Sequence, residues 1–309
     1  MNRRELMGQG VALGAALALG GVTARAAAAT TSTAGTAPIL RAIPSTGETL
    51  PVIGLGTSGP FEVGTDAAAR APLTAVLGAF FDGGATLIDT SPMYSTAEGV
   101  LGDLLTPVQQ RRAFIATKVW TRGEQEGIAQ MTRSMQLLKR ERVELMQVHN
   151  LLDLDTHLRT LRRWKEEGRI RYIGITHFTV AAQPEVAAIV EREKLDFVQI
   201  NYSATTPQAA ERLLPLCADR GVGVLVNRAF DDGKVFSTLR GRPLPGFAAE
   251  IGCTSWAQLL LKYVIAHPAV TCVIPATGKV VNLRDNLAAG HGALPDADLQ
   301  RRIAAAVTG

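Results

Sequence analysis

The stretch "LIDTSPMYSTAEGVLG", residues 87–102, decides how this chain is to be read. It opens as a short apolar strand, closes that strand on a carboxylate, Asp89, and sets Tyr94 on the turn that follows. A carboxylate at the tip of a buried strand is costly unless something partners it. The remainder of the chain must therefore bring a cation or several donors to that point.

Working outward, similar short apolar runs recur at 52–55, 86–88, 113–117, 143–148, 172–175, 197–200, 222–226 and 270–274. They are rich in β-branched residues, as strands are. Amphipathic stretches lie between them. In "LDTHLRTLRRWKEEG", Leu154, Leu158, Leu161 and Trp164 recur at helical spacing and Gly168 stops the helix. "VLGAFFDGG" stops in the same way at Gly83 and Gly84. Eight strands alternating with helices predict parallel βαβ units, in a closed (β/α)8 barrel or an open doubly wound sheet. The repeats are evenly spaced with no break into halves, and barrels of this kind take about 250 residues, so the barrel is expected over residues 39–309. Ahead of the first barrel strand, "ILRAIPSTGETLPVIGLGT" alternates around Ser45, Thr46 and Gly47 and predicts a β-hairpin. "GLGTSG", Gly54 to Gly59, fits a dinucleotide-binding fingerprint, but Pro60 follows at once and no helix starts inside the motif, so that reading is set aside.

Composition narrows the function. The 309 residues are 47% hydrophobic with a formal charge of +4, and no basic run interleaves with aromatics. That argues against a nucleic-acid partner. Cys217, Cys253 and Cys272 are widely spaced, which argues against a disulfide framework or a zinc site. Residues 1–29 read as a targeting segment: Arg3 and Arg4 precede an apolar run too short to span a bilayer, and small residues surround Arg25. The segment is similar to a twin-arginine export signal, with an ordinary alanine-rich leader or a retained anchor as the alternatives. Residues 30–38 read as a linker. The expected product is a protein exported folded to the periplasm by that route, monomeric, and without stable membrane insertion once the leader is removed.

The tips of the predicted barrel strands point into one site. In order they carry Asp89 with Tyr94 behind it, Lys118 and His149. Lys118 supplies the cation that Asp89 needs. A cation beside Tyr94 favours the phenolate and lowers a phenol pKa normally near 10. Such a tyrosine can donate a proton to a carbonyl oxygen and take it back, while His149 hydrogen-bonds the same oxygen. Side chains cannot supply hydride, so a cofactor is required. The later strand tips offer it a place: Thr176 and His177, Gln199, Asn227 and Arg228, then the Thr277-Gly278-Lys279 turn leading into a helix, a natural phosphate site.

These pieces in this order resemble the aldo-keto reductase family: "GLGT" at Gly54, "IDTSPMY" at Ile88, "ATKVW" at Ala116, "QVHN" at Gln147, "WKEEGRIRYIGITHF" at Trp164, "VQINYS" at Val198 and "IPATGKVVNLRDN" at Ile274. The resemblance implies a (β/α)8 barrel with a hairpin closing its bottom. It implies a catalytic tetrad of Asp89, Tyr94, Lys118 and His149, with Tyr94 the general acid in the reversible reduction of an aldehyde or ketone. It further implies an extended NADPH, favoured over NADH. Thr176, His177 and Gln199 would hold the nicotinamide, Arg228, Thr277, Gly278 and Lys279 the phosphates, and Asp285 and Asn286 the adenine. Gly56, Thr57, Asn227 and Phe230 join the cofactor contacts, and Lys279 and Arg284 are both candidates for the 2′-phosphate. The chain departs from the family at His177, where Asn is usual, and at Asn227–Phe230, where an aromatic precedes Ser-Pro. The loops after the fourth and seventh barrel strands read as short, leaving an open pocket with Trp120 as a wall. His157, His267 and His291 read as surface groups. Two other function classes fit parts of the pattern: a nucleotide-binding sensor or partner subunit, against which the intact tetrad argues, and a metal-dependent hydrolase, for which the strand tips supply no paired histidines.

Overall fold

Backbone hydrogen bonds join the first and last barrel strands and distinguish a barrel from an open sheet. The computed structural model describes residues 37–309; the leader and the linker up to residue 36 lie outside them. The barrel strands are β3 (Leu55–Gly56), β4 (Leu87–Asp89), β5 (Phe114–Val119), β6 (Val143–His149), β7 (Ile170–Thr176), β8 (Phe197–Asn201), β9 (Gly223–Asn227) and β10 (Val270–Val273). Each pairs in parallel with its sequence neighbours. The seam closes where Gly54 N–H donates to the Val273 carbonyl at 2.8 Å, Val273 N–H to Val52 at 2.9 Å and Gly56 N–H to Pro275 at 3.1 Å. A Cβ on Gly54 would lie 2.8 Å from the Leu87 carbonyl oxygen, and one on Gly56 2.7 Å from that of Ile274. The glycines of "GLGTSG" thus let strands approach at the seam, and the resemblance to a dinucleotide fingerprint is coincidental.

Helices cover the outside: α1 (Ala67–Asp82), α2 (Ala97–Leu104), α3 (Pro107–Arg112), α4 (Glu124–Leu137), α5 (Leu154–Glu166), α6 (Gln183–Arg192), α7 (Leu213–Asp219), α8 (Lys234–Thr238), α9 (Trp256–Ile265), α10 (Val280–Ala288) and α11 (Ala297–Thr308). Their starts are chemically marked. Asp66 accepts from the N–H groups of Ala68 and Ala69, and Thr106 and Gln109 form a reciprocal capping box. In α5, His157 shares the buried stripe with Leu161 and Trp164 and is itself fully buried. Its Nε2 lies 2.8 Å from the Thr121 carbonyl oxygen, and its ring fills the space that Gly127 of α4 leaves. The surface assignment of His157 is therefore corrected: it is a core residue, and its i, i+4, i+7 relation to Leu161 and Trp164 already signalled this.

The strand pleat sorts the barrel interior. Alternate residues point inward, giving Leu87 then Asp89 on β4; Phe114, Ala116 and Lys118 on β5; Leu145, Gln147 and His149 on β6; Tyr172, Gly174 and Thr176 on β7; and Phe197, Gln199 and Asn201 on β8. The lower members form one apolar cluster with Leu225, Cys272 and Ile274. Phe114, Tyr172 and Phe197 meet there with ring centroids 5.5–6.2 Å apart. The floor is the hairpin β1 (Leu40–Ala42) and β2 (Thr49–Pro51), which contributes Ile43 and Leu50 to that cluster. Tyr172 latches it: its hydroxyl donates to Glu48 at 2.5 Å and lies 2.9 Å from Thr46 Oγ1, while Arg171 pairs with Glu48. With the floor sealed, the polar upper residues face the opposite end of the barrel.

The segment after β9 is not short, contrary to the sequence reading. It runs from Arg228 to the start of α9 through two 3-10 turns, Asp231–Gly233 and Gly246–Ile251, and α8. Its apolar residues Val235, Leu239, Ala248 and Ile251 are buried in the main hydrophobic core. No helix among the described residues is long and apolar enough to cross a membrane.

Gly102 tests the helix packing. A Cβ there would fall 1.9 Å from the Leu137 carbonyl oxygen at the end of α4. Gly102→Ala should cost about 1–3 kcal/mol of stability through overpacking, measured as a lowered urea midpoint with unchanged slope.

Candidate active site

The tips of β4, β5, β6 and β8 build the floor of the site from buried polar groups. Lys118 Nζ donates to Asp89 Oδ2 at 2.7 Å and to the Thr90 carbonyl at 2.8 Å. Both members of the pair are buried. The other carboxylate oxygen, Oδ1, accepts from Gln199 Nε2 at 2.7 Å and Gln147 Nε2 at 3.3 Å. Asp89 is thereby fully engaged, which resolves the cost of a carboxylate at a strand tip. Burial pulls the Lys118 pKa down, but Asp89 and Tyr94 beside it outweigh this and leave it above the ordinary lysine value.

Tyr94 hangs over this pair. The turn that carries it is closed by Tyr94 N–H donating to the Ser91 carbonyl at 3.0 Å, and Ser95 behind it takes a left-handed backbone. The ammonium of Lys118 sits 4.8 Å from the centroid of the Tyr94 ring. The sequence reading expected this cation to lower the phenol pKa. The net direction is upward: burial raises it most, Lys118 acts against that, and Asp89 raises it further. Lys118 thus limits a desolvation penalty that it does not overcome.

His149 completes the group. Its ring stands edge-on to Tyr94, centroids 6.2 Å apart, and its Nδ1 lies 3.1 Å from Ser91 Oγ. Burial first, then the charges of Lys118 and His177, push its pKa down to about 3. The imidazole is neutral at any physiological pH and acts as a hydrogen-bonding group.

Above lies a cavity of about 750 Å³. Asp89, Tyr94, His149, Gly56, Thr57, Thr176, Gln199, Asn227, Arg228 and Phe230 all line it, so these predicted site residues converge. Gln199 already donates to Asp89 and accepts from Thr176 at 3.1 Å. Asn227 Oδ1 and Asn150 Oδ1 are buried without a partner. Several predicted residues lie elsewhere. Trp120 is half-exposed, held through its backbone by Gln130, and forms no part of the wall; this corrects its assignment to the pocket. The His177 ring is also absent from the lining: it stacks on Phe178 and its Nδ1 meets Thr179. Thr277, Gly278, Lys279, Arg284, Asp285 and Asn286 follow beyond Ala276 on the β10–α10 turn and α10, outside the wall. The carboxylate of Asp285 accepts from Ser255 at 2.7 Å and Gln258 at 2.6 Å, tying α10 to α9.

The wall also holds residues that the sequence reading passed over: Glu62, Met93, Asn150, Phe178, Asp232 and Phe236. Asn150 sits just past a strand tip, a position that could have been flagged. Phe178 and Asp232 had no such signal. Their place follows from Arg228, whose guanidinium lies 4.4 Å from the Phe178 ring centroid and pairs with Asp232 at 3.0 Å.

Residues 52–306 match the sequence profile of the Aldo/keto reductase family. This chain belongs to that family. Methylglyoxal reductase YeaE of Escherichia coli K12 is 27% identical over 257 residues, spanning 81% of this chain and 89% of that protein. Methylglyoxal reductase DkgB of Escherichia coli O157:H7 is 26% identical over 264 residues, 83% and 92% of the two chains. In fold, this aldo/keto reductase superposes on one from Klebsiella pneumoniae, solved in complex with NADPH, with a TM-score of 0.70 over 84% of this chain and 92% of that one at 24% identity.

The buried neutral imidazole makes the fold acid-sensitive. His149 binds its proton below about pH 3 when folded and below 6.5 when free. Between those values the unfolded chain holds more protons, so the stability is fully present above pH 6.5 and is lost as pH falls toward 3. Urea titrations at successive pH values should show a shallower dependence for His149→Asn across this window, by up to about 1.4 kcal/mol per pH unit.

Proposed function

We propose that this aldo/keto reductase uses NADPH to reduce an aldehyde or ketone to the alcohol, reversibly, with Tyr94 as the general acid. The observation that carries this reading is the convergence of Tyr94 and neutral His149 over the buried Lys118–Asp89 pair, at the base of the cavity at the barrel's upper end. The names of the two methylglyoxal reductases and of the NADPH-bound neighbour support the substrate class and the cofactor.

The residues fit a nicotinamide. Two buried carboxamide oxygens, of Asn227 and Asn150, want donors in a cavity of suitable size, and a nicotinamide carboxamide carries such N–H groups. Thr176, Gln199, Asn227, Arg228 and Phe230 would hold its near end, with Lys279 and Arg284 reaching the far phosphates. When bound, the nicotinamide supplies hydride to the carbonyl carbon.

The chain's own work is done at the oxygen. Burial keeps Tyr94 protonated and ready to donate at neutral pH. The Lys118 ammonium stabilises the phenolate left after proton transfer. His149 hydrogen-bonds the same oxygen and fixes its position. Gln147 and Gln199 hold Asp89, which holds Lys118. Arg3, Arg4 and the apolar run behind them support export in folded form as the cellular setting.

Fluorescence titration with NADPH and NADH, followed by turnover of methylglyoxal, tests the reading. NADPH should bind the more tightly. Tyr94→Phe should lower kcat by at least about 100-fold while the NADPH dissociation constant stays within about threefold. Near-normal kcat in that variant would remove Tyr94 from the mechanism, and failure to bind either nucleotide would remove the reductase reading.

A further inference from the structure

Ser91 lies against one ring nitrogen of His149. It lies two residues past Asp89 on the turn to Tyr94 and is fully buried. Among the described residues its Oγ has two partners. Met93 N–H donates to it at 3.2 Å, and His149 Nδ1 lies 3.1 Å away. A serine hydroxyl has one hydrogen to give and lone pairs to receive with.

Two arrangements are open. If Nδ1 carried the hydrogen, both partners of Ser91 Oγ would be donors, and the hydroxyl hydrogen would be buried with no acceptor. Orphaned buried donors are rare because each costs its full desolvation penalty. If instead Ser91 donates to Nδ1, every group in the chain from Met93 N–H through Ser91 to His149 is satisfied. The hydrogen of the imidazole then resides on Nε2, the nitrogen left to the cavity that His149 lines. A bare Nε2 would repel a carbonyl oxygen; a protonated one donates to it.

We propose that Ser91 is a positioning residue that holds His149 as the Nε2–H tautomer, so that the ring presents a donor to the substrate oxygen. The role of that donor rests on the reductase reading above; the tautomer itself does not. The same four-residue turn then does two jobs. Its backbone closes on Tyr94, through Tyr94 N–H to the Ser91 carbonyl, and its one hydroxyl sets the polarity of His149. Both hydrogens offered to the oxygen are placed by one short piece of chain.

The test is a nitrogen-detected correlation spectrum of the full chain labelled with ¹⁵N-histidine, recorded without nucleotide at neutral pH. The His149 signals are identified by their loss in His149→Gln. The expected spectrum has Nδ1 unprotonated and Nε2 protonated in a single tautomer. Ser91→Ala should convert this to a mixture of the two tautomers, and Ser91→Thr, which keeps the hydroxyl, should restore the single form. With methylglyoxal and NADPH, Ser91→Ala should lower kcat about tenfold and leave the NADPH dissociation constant within about twofold, with Ser91→Thr recovering most of the loss. A wild-type spectrum with the hydrogen on Nδ1, or one unchanged in Ser91→Ala, overturns the assignment. A changed spectrum with no turnover in the wild type would sink the reductase reading and leave the tautomer assignment standing.

Discussion

The ammonium of Lys118 sits inside the barrel, fully buried, and much of the site is arranged to make that tolerable. A buried charge costs several kcal/mol unless it is paired and its partner is itself satisfied. Asp89 pairs it, Thr90 adds a carbonyl, and the amides of Gln147 and Gln199 occupy the remaining carboxylate oxygen. These residues come from β4, β5, β6 and β8, so the pair also fastens four strands at their upper ends. Tyr94 follows on the turn out of β4 and His149 ends β6, each placed by an element that the pair already holds. The electrostatics around Tyr94 and His149 and the stability of the barrel's upper layer are thus one problem with one solution.

Much of this was readable in advance, and for a physical reason. Parallel strands in a closed barrel all end at the same rim, so titratable residues at 89, 118 and 149 had to meet once the β/α rhythm was recognised. The hairpin floor was legible from its alternation around Ser45–Gly47. What the sequence did not disclose depends on loop conformation and on the balance of opposing effects. His177 occupies a strand tip in the sequence, yet its ring turns to Phe178 and Thr179. Trp120 follows Lys118 closely but leaves the strand before it can face inward. The direction of the Tyr94 shift reversed because a nearby cation is visible in a sequence and the depth of burial is not. His157 shows the opposite failure: its helical register announced a core position, and its polarity argued it away.

The wall opposite the tetrad is built differently. Arg228, Asp231 and Asp232 all adopt left-handed backbone conformations, which non-glycine residues take up at a cost. They are held there by Arg228 lying on Phe178, its pairing with Asp232, and Phe230 packed on Phe236 at 4.9 Å. This side owes its shape to contacts among exposed and half-exposed side chains, whereas the side around Lys118 and His149 is set by strand register.

The alternation of the barrel strands carries a consequence for inheritance. On β5 and β6, what separates an apolar floor residue from a polar site residue is a step of two positions, from Ala116 to Lys118 and from Leu145 to Gln147, with His149 two positions further on. A one-residue insertion within either strand turns every inward side chain out and destroys core and chemistry together. Met93, Asn150, Phe178 and Phe236 lie outside the barrel strands, so substitutions there can reshape the cavity wall without disturbing the register that places Lys118 and His149.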